Sequence, residues 1–199
     1  MAGITDSYPD AWRQEVLISI GKMASGESFQ EFRTQTESVE ISLPNKDVEA
    51  IPCIGGNRLV KYIPAEMAEI SFEAYLVSTE EDYIPEWFAG TTDSNGDSDE
   101  YEFKFGSNRH LFHIVLTWTN DYNNTSAAST VADHYAAFRY EFKHAYLISC
   151  NGKWEDNMLK FTFKFKVAPF DNNGNSNINT SSSKNGLSAI SLDTTPYIT

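Results

Sequence analysis

The chain has 199 residues, enough for one domain with a full core, and its 10 Tyr and 13 Phe with scarce helical periodicity point to a sheet-rich fold. Its formal charge of −13 excludes a surface that grips nucleic acid through phosphates, which needs clustered Lys and Arg. Two cysteines, Cys53 and Cys150, are too few for a disulfide framework and too far apart for a metal knuckle; free thiols are the default, with a single bridge left open.

Residues 1–12 lack a charged region ahead of an apolar one, and no run approaches the roughly 20 apolar residues that span a bilayer. Cytoplasmic synthesis without membrane insertion is therefore expected, with 1–12 as an N-terminal arm. Residues 13–21 (RQEVLISIG) and 37–43 (ESVEISL) read as strands, the second with Val39, Ile41 and Leu43 on one face and Glu40 on the other. Gly21 and Gly26 suit a bend or hairpin tip between them, an antiparallel beginning. From 44 to 64, Pro44, Pro52, Pro64 and the Gly55-Gly56 pair break the pattern into a long loop with room for short strands. Residues 68–77 resume the period of two, with Ile70, Phe72, Ala74 and Leu76 inward and Glu69, Ser71, Glu73 and Tyr75 outward.

A short helix is predicted over about 79–89: Ser78 or Thr79 caps it, acids fill its first turn, Gly90 stops it and Pro85 limits it. Residues 91–100 form an acidic loop. Asp93, Asn95, Asp97 and Asp99 are spaced like the first ligands of a calcium loop, but Ser98 stands where the sharp turn needs Gly and Lys104 where a bidentate Glu belongs. A solvated loop is the favoured reading, with calcium or another hard cation as the alternative. No Lys or Arg falls between Lys61 and Lys104, so the molecule has an acidic side.

Strands return at 101–105, 109–119, 138–149 and 159–168, with a long connection over 120–136 holding about one helical turn. In LKFTFKFKV, Phe161, Phe163, Phe165 and Val167 alternate with Lys160, Lys164 and Lys166, a basic stripe in an acidic chain. After Pro169 the sequence is too poor in apolar residues to own a core, so 170–199 reads as an arm that orders on binding. The domain proper is 13–169. No phosphate-cradling glycine loop, GxSxG elbow or HExxH helix occurs, and the four histidines read as structural, so neither an enzyme nor a bound cofactor is expected. Asn123, Asn124 and Asn179 open N-x-[ST] triplets, which mark accessible loops.

The early strand pair, the passage EAIPCIGGNRLVKYIPAEMAEISFEAYLV, the segment STEEDYIPEWFAG and the closing GKWEDNMLKFTFKFKVAPFDNNGN together resemble the tail tube (major tail) proteins of tailed viruses, over roughly 13–178. The resemblance implies a mainly β protein, an antiparallel sandwich or barrel with one flanking helix, long loops and terminal arms. It implies hexameric rings stacked into a hollow tube that conducts viral DNA without specific binding, contacts with other tail proteins, and residence in the virion tail after assembly in the host cytoplasm. On that model Glu40, Glu69 and Glu73 face an acidic bore that repels DNA, and Lys160, Lys164 and Lys166 meet an acidic surface on an adjacent protomer or ring. An inner tube protein of a contractile injection system is the closest variant. A monomeric β-sandwich module binding carbohydrate or a cell surface, with Trp12, Trp118 or Trp154 in a concave face, is the different class.

Overall fold

The structure is a computed structural model, described here for residues 15–35, 38–53, 58–62, 65–75, 90–94, 101–105, 109–155 and 157–195. Its strands are β1 (Glu15–Lys22), β2 (Gln30–Gln35), β3 (Glu40–Ser42), β4 (Val48–Pro52), β5 (Arg58–Tyr62), β6 (Ala68–Tyr75), β7 (Gly90–Ser94), β8 (Tyr101–Phe105), β9 (Leu111–Thr119), β10 (Ala137–Glu155), β11 (Met158–Val167) and β12 (Ile178–Ser183). The described residues contain no α-helix. The helix predicted near 79–89 lies outside them, as do residues 1–12. The protein is mainly β and antiparallel, as its alternation predicts.

Eight strands form one sheet in the order β2-β1-β9-β10-β11-β6-β3, with β12 added beside β10. The alternating apolar residues of these strands bury one face: Val16, Ile18 and Ile20 of β1, Ile70, Phe72 and Ala74 of β6, and Phe163, Phe165 and Val167 of β11 are all core. The sheet curls until edge strand β2 packs over β6 and β11, with the Phe32 ring edge-on to Phe72 at 6.1 Å and to Phe163 at 6.3 Å. Phe72 stacks on Phe165 at 6.0 Å, so one aromatic cluster ties β2, β6 and β11 together. Replacing any of these rings by Ala removes contacts worth about 3–5 kcal/mol.

The early strand pair differs from its sequence reading. The partner of β1 is β2, with Ile18 opposite Phe32, and the turn between them passes through Gly26 at φ 86°. The sequence QEFRTQ carries one apolar side chain, too few to register a period of two. The later strand shrinks to β3 and pairs with β6 at the far end of the sheet, Ile41 opposite Ile70. Val39 and Ile41 pack on the core as predicted, but Leu43 is exposed.

β10 changes partners along its length. Its first part lies between β9 and β12, and its second part runs beside β11. The change falls at a register shift between Phe142 and Ala145, where His144 takes φ 54°. Asn177 is buried in this junction: its carbonyl accepts the Lys143 N–H (2.8 Å), its N–H donates to the Pro169 carbonyl (3.0 Å), its Nδ2 donates to the Ala168 carbonyl (3.1 Å) and its Oδ1 meets His144 Nδ1 (2.9 Å).

A second layer covers the outer face of β1, β9 and β10, which is why β9 is buried on both sides. Val115, Ala127 and Ala128 form a small core there with Leu17, Phe29 and Ile190. The loop over 120–136 is turn and coil, and the C-terminal residues lie across it: Val131 and Leu187 bridge, and the Ile190 N–H donates to the Ala128 carbonyl (2.8 Å). A Cβ on Gly21 would sit 2.4 Å from Leu192 Cδ1, so the bare glycine gives the Leu192 side chain room to pack on β1. Residues 170–195, which read from sequence as an arm, are therefore docked on their own chain, with β12 in the main sheet. They are held there by hydrogen bonds together with a few apolar contacts from Ile190 and Leu192.

Candidate assembly surfaces

On the outer face of β6 and β11, Glu69 stands opposite Lys166, Ser71 opposite Lys164 and Glu73 opposite Thr162. Residues directly opposite share a face, and diagonal neighbours are within reach of long side chains. Lys164 pairs with Glu69 and Lys160 with Glu73, both on the diagonal, and Lys166 Nζ lies 3.8 Å from Glu69. The hydrogen bond from Lys164, helped by the charges of Lys164 and Lys166, holds the Glu69 carboxyl below its ordinary value against the opposing effect of desolvation. Glu40 of β3 is exposed and stands opposite Ser71 on the same face.

The tail-tube resemblance implies a bore for these acids and a neighbouring subunit for these lysines. The fold puts all six on one surface, and the lysines find Glu69 and Glu73 within their own sheet. The basic stripe and two of the acids, Glu69 and Glu73, are halves of one ion-pair ladder.

Two hairpins stand apart from the main sheet. In β4 and β5 every residue of β4 is exposed; Ala50 faces Val60 across the pair on one side, and Ile51 faces Leu59 on the other. Val48 and Leu59 are each 59% exposed and Val60 52%, so apolar side chains reach water on both sides. A two-stranded hairpin without a covered face is marginal in water. Cys53 ends this hairpin as an exposed free thiol, whereas burial pushes the Cys150 thiol up to about 12; the two are not bridged. The other hairpin joins β7 and β8 with Asp93 opposite Glu102. Asn95, Asp97 and Asp99 lie outside the described residues, and no three His, Cys, Asp or Glu among the described residues converge as a metal site.

The β10–β11 tip is a third exposed region. Trp154 is 69% exposed and opposite Leu159, which is also exposed, and Ile148 opens to water nearby. Over 147–155, β10 pairs only with β11 among the described residues, leaving its other backbone edge open. Trp118 instead packs against Phe138 and Tyr140, and Trp12 lies outside the described residues.

Sequence reasoning passed over a buried polar network on the covered outer face. Arg139 is 2% exposed; its Nε donates to Thr117 Oγ1 (2.9 Å), Nη1 to the Ser188 carbonyl (2.6 Å) and Nη2 to the Ser129 carbonyl (2.7 Å). Burial lowers its pKa, partly offset by Glu141. Burial would raise Glu141, but hydrogen bonds from His113 and Asn179 and the charge of Lys143 reverse the sign and bring it to about 2. Glu31 pins the loop, accepting from Ser19 (2.5 Å), Ser126 (2.7 Å) and the Ala127 N–H (3.3 Å). The side-chain nitrogen of Asn124 is buried, and that of the exposed Asn179 donates to Glu141 (3.0 Å).

No protein-family model matches the chain, and no curated protein is similar to it at a significant level. Among solved structures it is similar to a chain of the sheath/tube terminator of the extracellular contractile injection system PVC in its extended state, at 9% identity over 84% of this chain and 93% of that one, with a TM-score of 0.51. It is also similar to a chain of the tube-terminating cap of the anti-feeding prophage, at 9% identity over 85% and 89%, with a TM-score of 0.50. The likeness is one of fold. No helix among the described residues is long and apolar enough to cross a membrane.

Proposed function

We propose that this chain is a structural subunit of the tube of a tail-like particle, assembling with copies of itself into stacked hexameric rings and carrying no catalytic site. The observation that carries the reading is the β4–β5 hairpin, whose apolar residues lie on both faces with nothing of the described chain covering them. A second subunit would bury them, and the free edge of β10 over 147–155 with Trp154 offers a place for sheets of adjacent subunits to join. The fold likeness to chains from a tube terminator and a tube-terminating cap supports the same class.

Tail tube of a virus and inner tube of a contractile injection system share this assembly logic, and the solved structures resembling the chain favour the second. Contacts with other tail proteins belong to either. If the β3–β6–β11 face lines the bore, Glu40, Glu69 and Glu73 would present DNA or another cargo with a hydrated, near-neutral surface that does not hold phosphate. If it faces a neighbour, Lys160, Lys164 and Lys166 would have to exchange their own acids for the neighbour's, which favours register over affinity.

Negative-stain electron microscopy of the purified chain over a concentration and salt series tests the proposal. Rings or hollow tubes with six-fold symmetry are expected, and replacing 48–62 by a short turn should leave a folded protein that forms none. A wild-type chain that stays monomeric at every concentration, even with preformed tube ends added as initiators, would overturn it in favour of a binding module.

A further inference from the structure

The C-terminal segment is fastened to the sheet by a histidine. His113 of β9 is fully buried, and its Nδ1 accepts the N–H of Asp193 at 3.0 Å. An accepting Nδ1 has a lone pair and no proton, so the ring proton sits on Nε2 and is donated to Glu141 Oε1 at 3.0 Å. The ring is confined: Phe29 lies over it at 5.1 Å, and the residue opposite on β1 is Gly21, on which Leu192 packs. The Ser188 carbonyl is held by Arg139, so 188–193 lies across the polar network from end to end.

The charged groups facing this histidine come from every element around it. β10 supplies Glu141, Lys143 and Arg139; Lys143 Nζ lies 3.5 Å from Glu141 and 3.6 Å from Asp193. The C-terminal segment supplies the Asp193 carboxylate, which also senses His144 beyond the bulge. β2 supplies Glu31 further along the same face, opposite Ser19.

We infer that residues 188–193 form an acid-released strap with His113 as its latch: a proton taken up from solvent at Nδ1 turns the acceptor of the Asp193 amide into a second donor facing it, and the segment lifts off β9. The closed geometry has no place for that proton. Opening therefore grows as pH falls across the near-neutral range. The carboxylates do not share this range. Glu141 is held at about 2 and Asp193 below its ordinary value, the opposing effect of burial being outweighed by hydrogen bonds to Thr195 and the charges of Lys143 and His144. Released, the strap bares the small apolar core of Val115, Ala127 and Ala128.

Amide hydrogen exchange on the full-length chain between about pH 7.5 and 5.5, expressed as protection so that intrinsic exchange cancels, tests the latch. Protection over 187–195 should fall about tenfold across this range while β9 and β10 stay protected, and His113→Gln should flatten the response. Constant protection across the range, or the same fall in His113→Gln, would overturn the inference. Should that variant fail to fold, imidazole ¹⁵N NMR of the wild-type chain decides: Nδ1 must be unprotonated at the upper pH and gain its proton as the Asp193 amide loses protection. A protonated Nδ1 beneath a still-protected Asp193 amide would overturn it equally.

Discussion

Two stretches of this protein have the same kind of alternation and opposite fates. In β11, Phe163 and Phe165 point into the core while Lys164 and Lys166 stand on an open face and meet Glu69 across the strand pair. In β10, Phe142 points into the same core while Arg139 and Glu141 stand on a face closed by the 120–136 loop and the C-terminal segment. Open to water, charges form a ladder that solvent screens and that is worth little to stability. Covered, the same residue types must satisfy each donor and acceptor, and each becomes costly to lose.

The contrast can be broken at its strongest point. Arg139→Leu would leave the Ser129 and Ser188 carbonyls buried without their donors, and urea unfolding should show a loss of about 3 kcal/mol. A neutral result would mean that the cover is held by its apolar contacts alone. Glu141 gives a comparable but pH-dependent effect. Its pKa falls on folding from the usual 4.5 to about 2, so its contribution is complete above the unfolded value and is lost as pH falls toward the folded one. The stake is at most roughly 3 kcal/mol, and Glu141→Gln should flatten the acid limb of the stability profile. On the open face, Lys164→Gln should leave the unfolding midpoint unmoved. Loss of tube formation at unchanged stability in that variant would sharpen the comparison, since the ladder would then serve a neighbour as well as its own sheet.

The positions of β6, β8 and β11 were legible because apolar residues alternate strictly along them and a buried face cannot tolerate a slip of one residue, and that of β9 because its apolar residues run almost without a break. β2 was not legible, since its single core ring, Phe32, needs the curled sheet to give it a partner. The ladder was half legible: the lysines and acids were singled out, but Glu69 and Lys164 stand 95 positions apart and nothing local pairs them. Arg139, His113 and Glu141 left no signal, because charged residues on alternate positions read as solvated wherever they occur. Their burial depends on a tail whose Ser and Asn content argues for disorder until its backbone finds Arg139 and His113 waiting.

By itself the sequence determined the β class, the antiparallel alternation and which side chains turn inward, because side-chain parity along a strand is a local property. Only the tertiary structure decided which strands are neighbours, which outer face meets water and which lies under the chain's own C-terminal segment. Those outcomes rest on contacts between residues far apart in sequence, and the period of two describes a strand's faces without specifying what covers them.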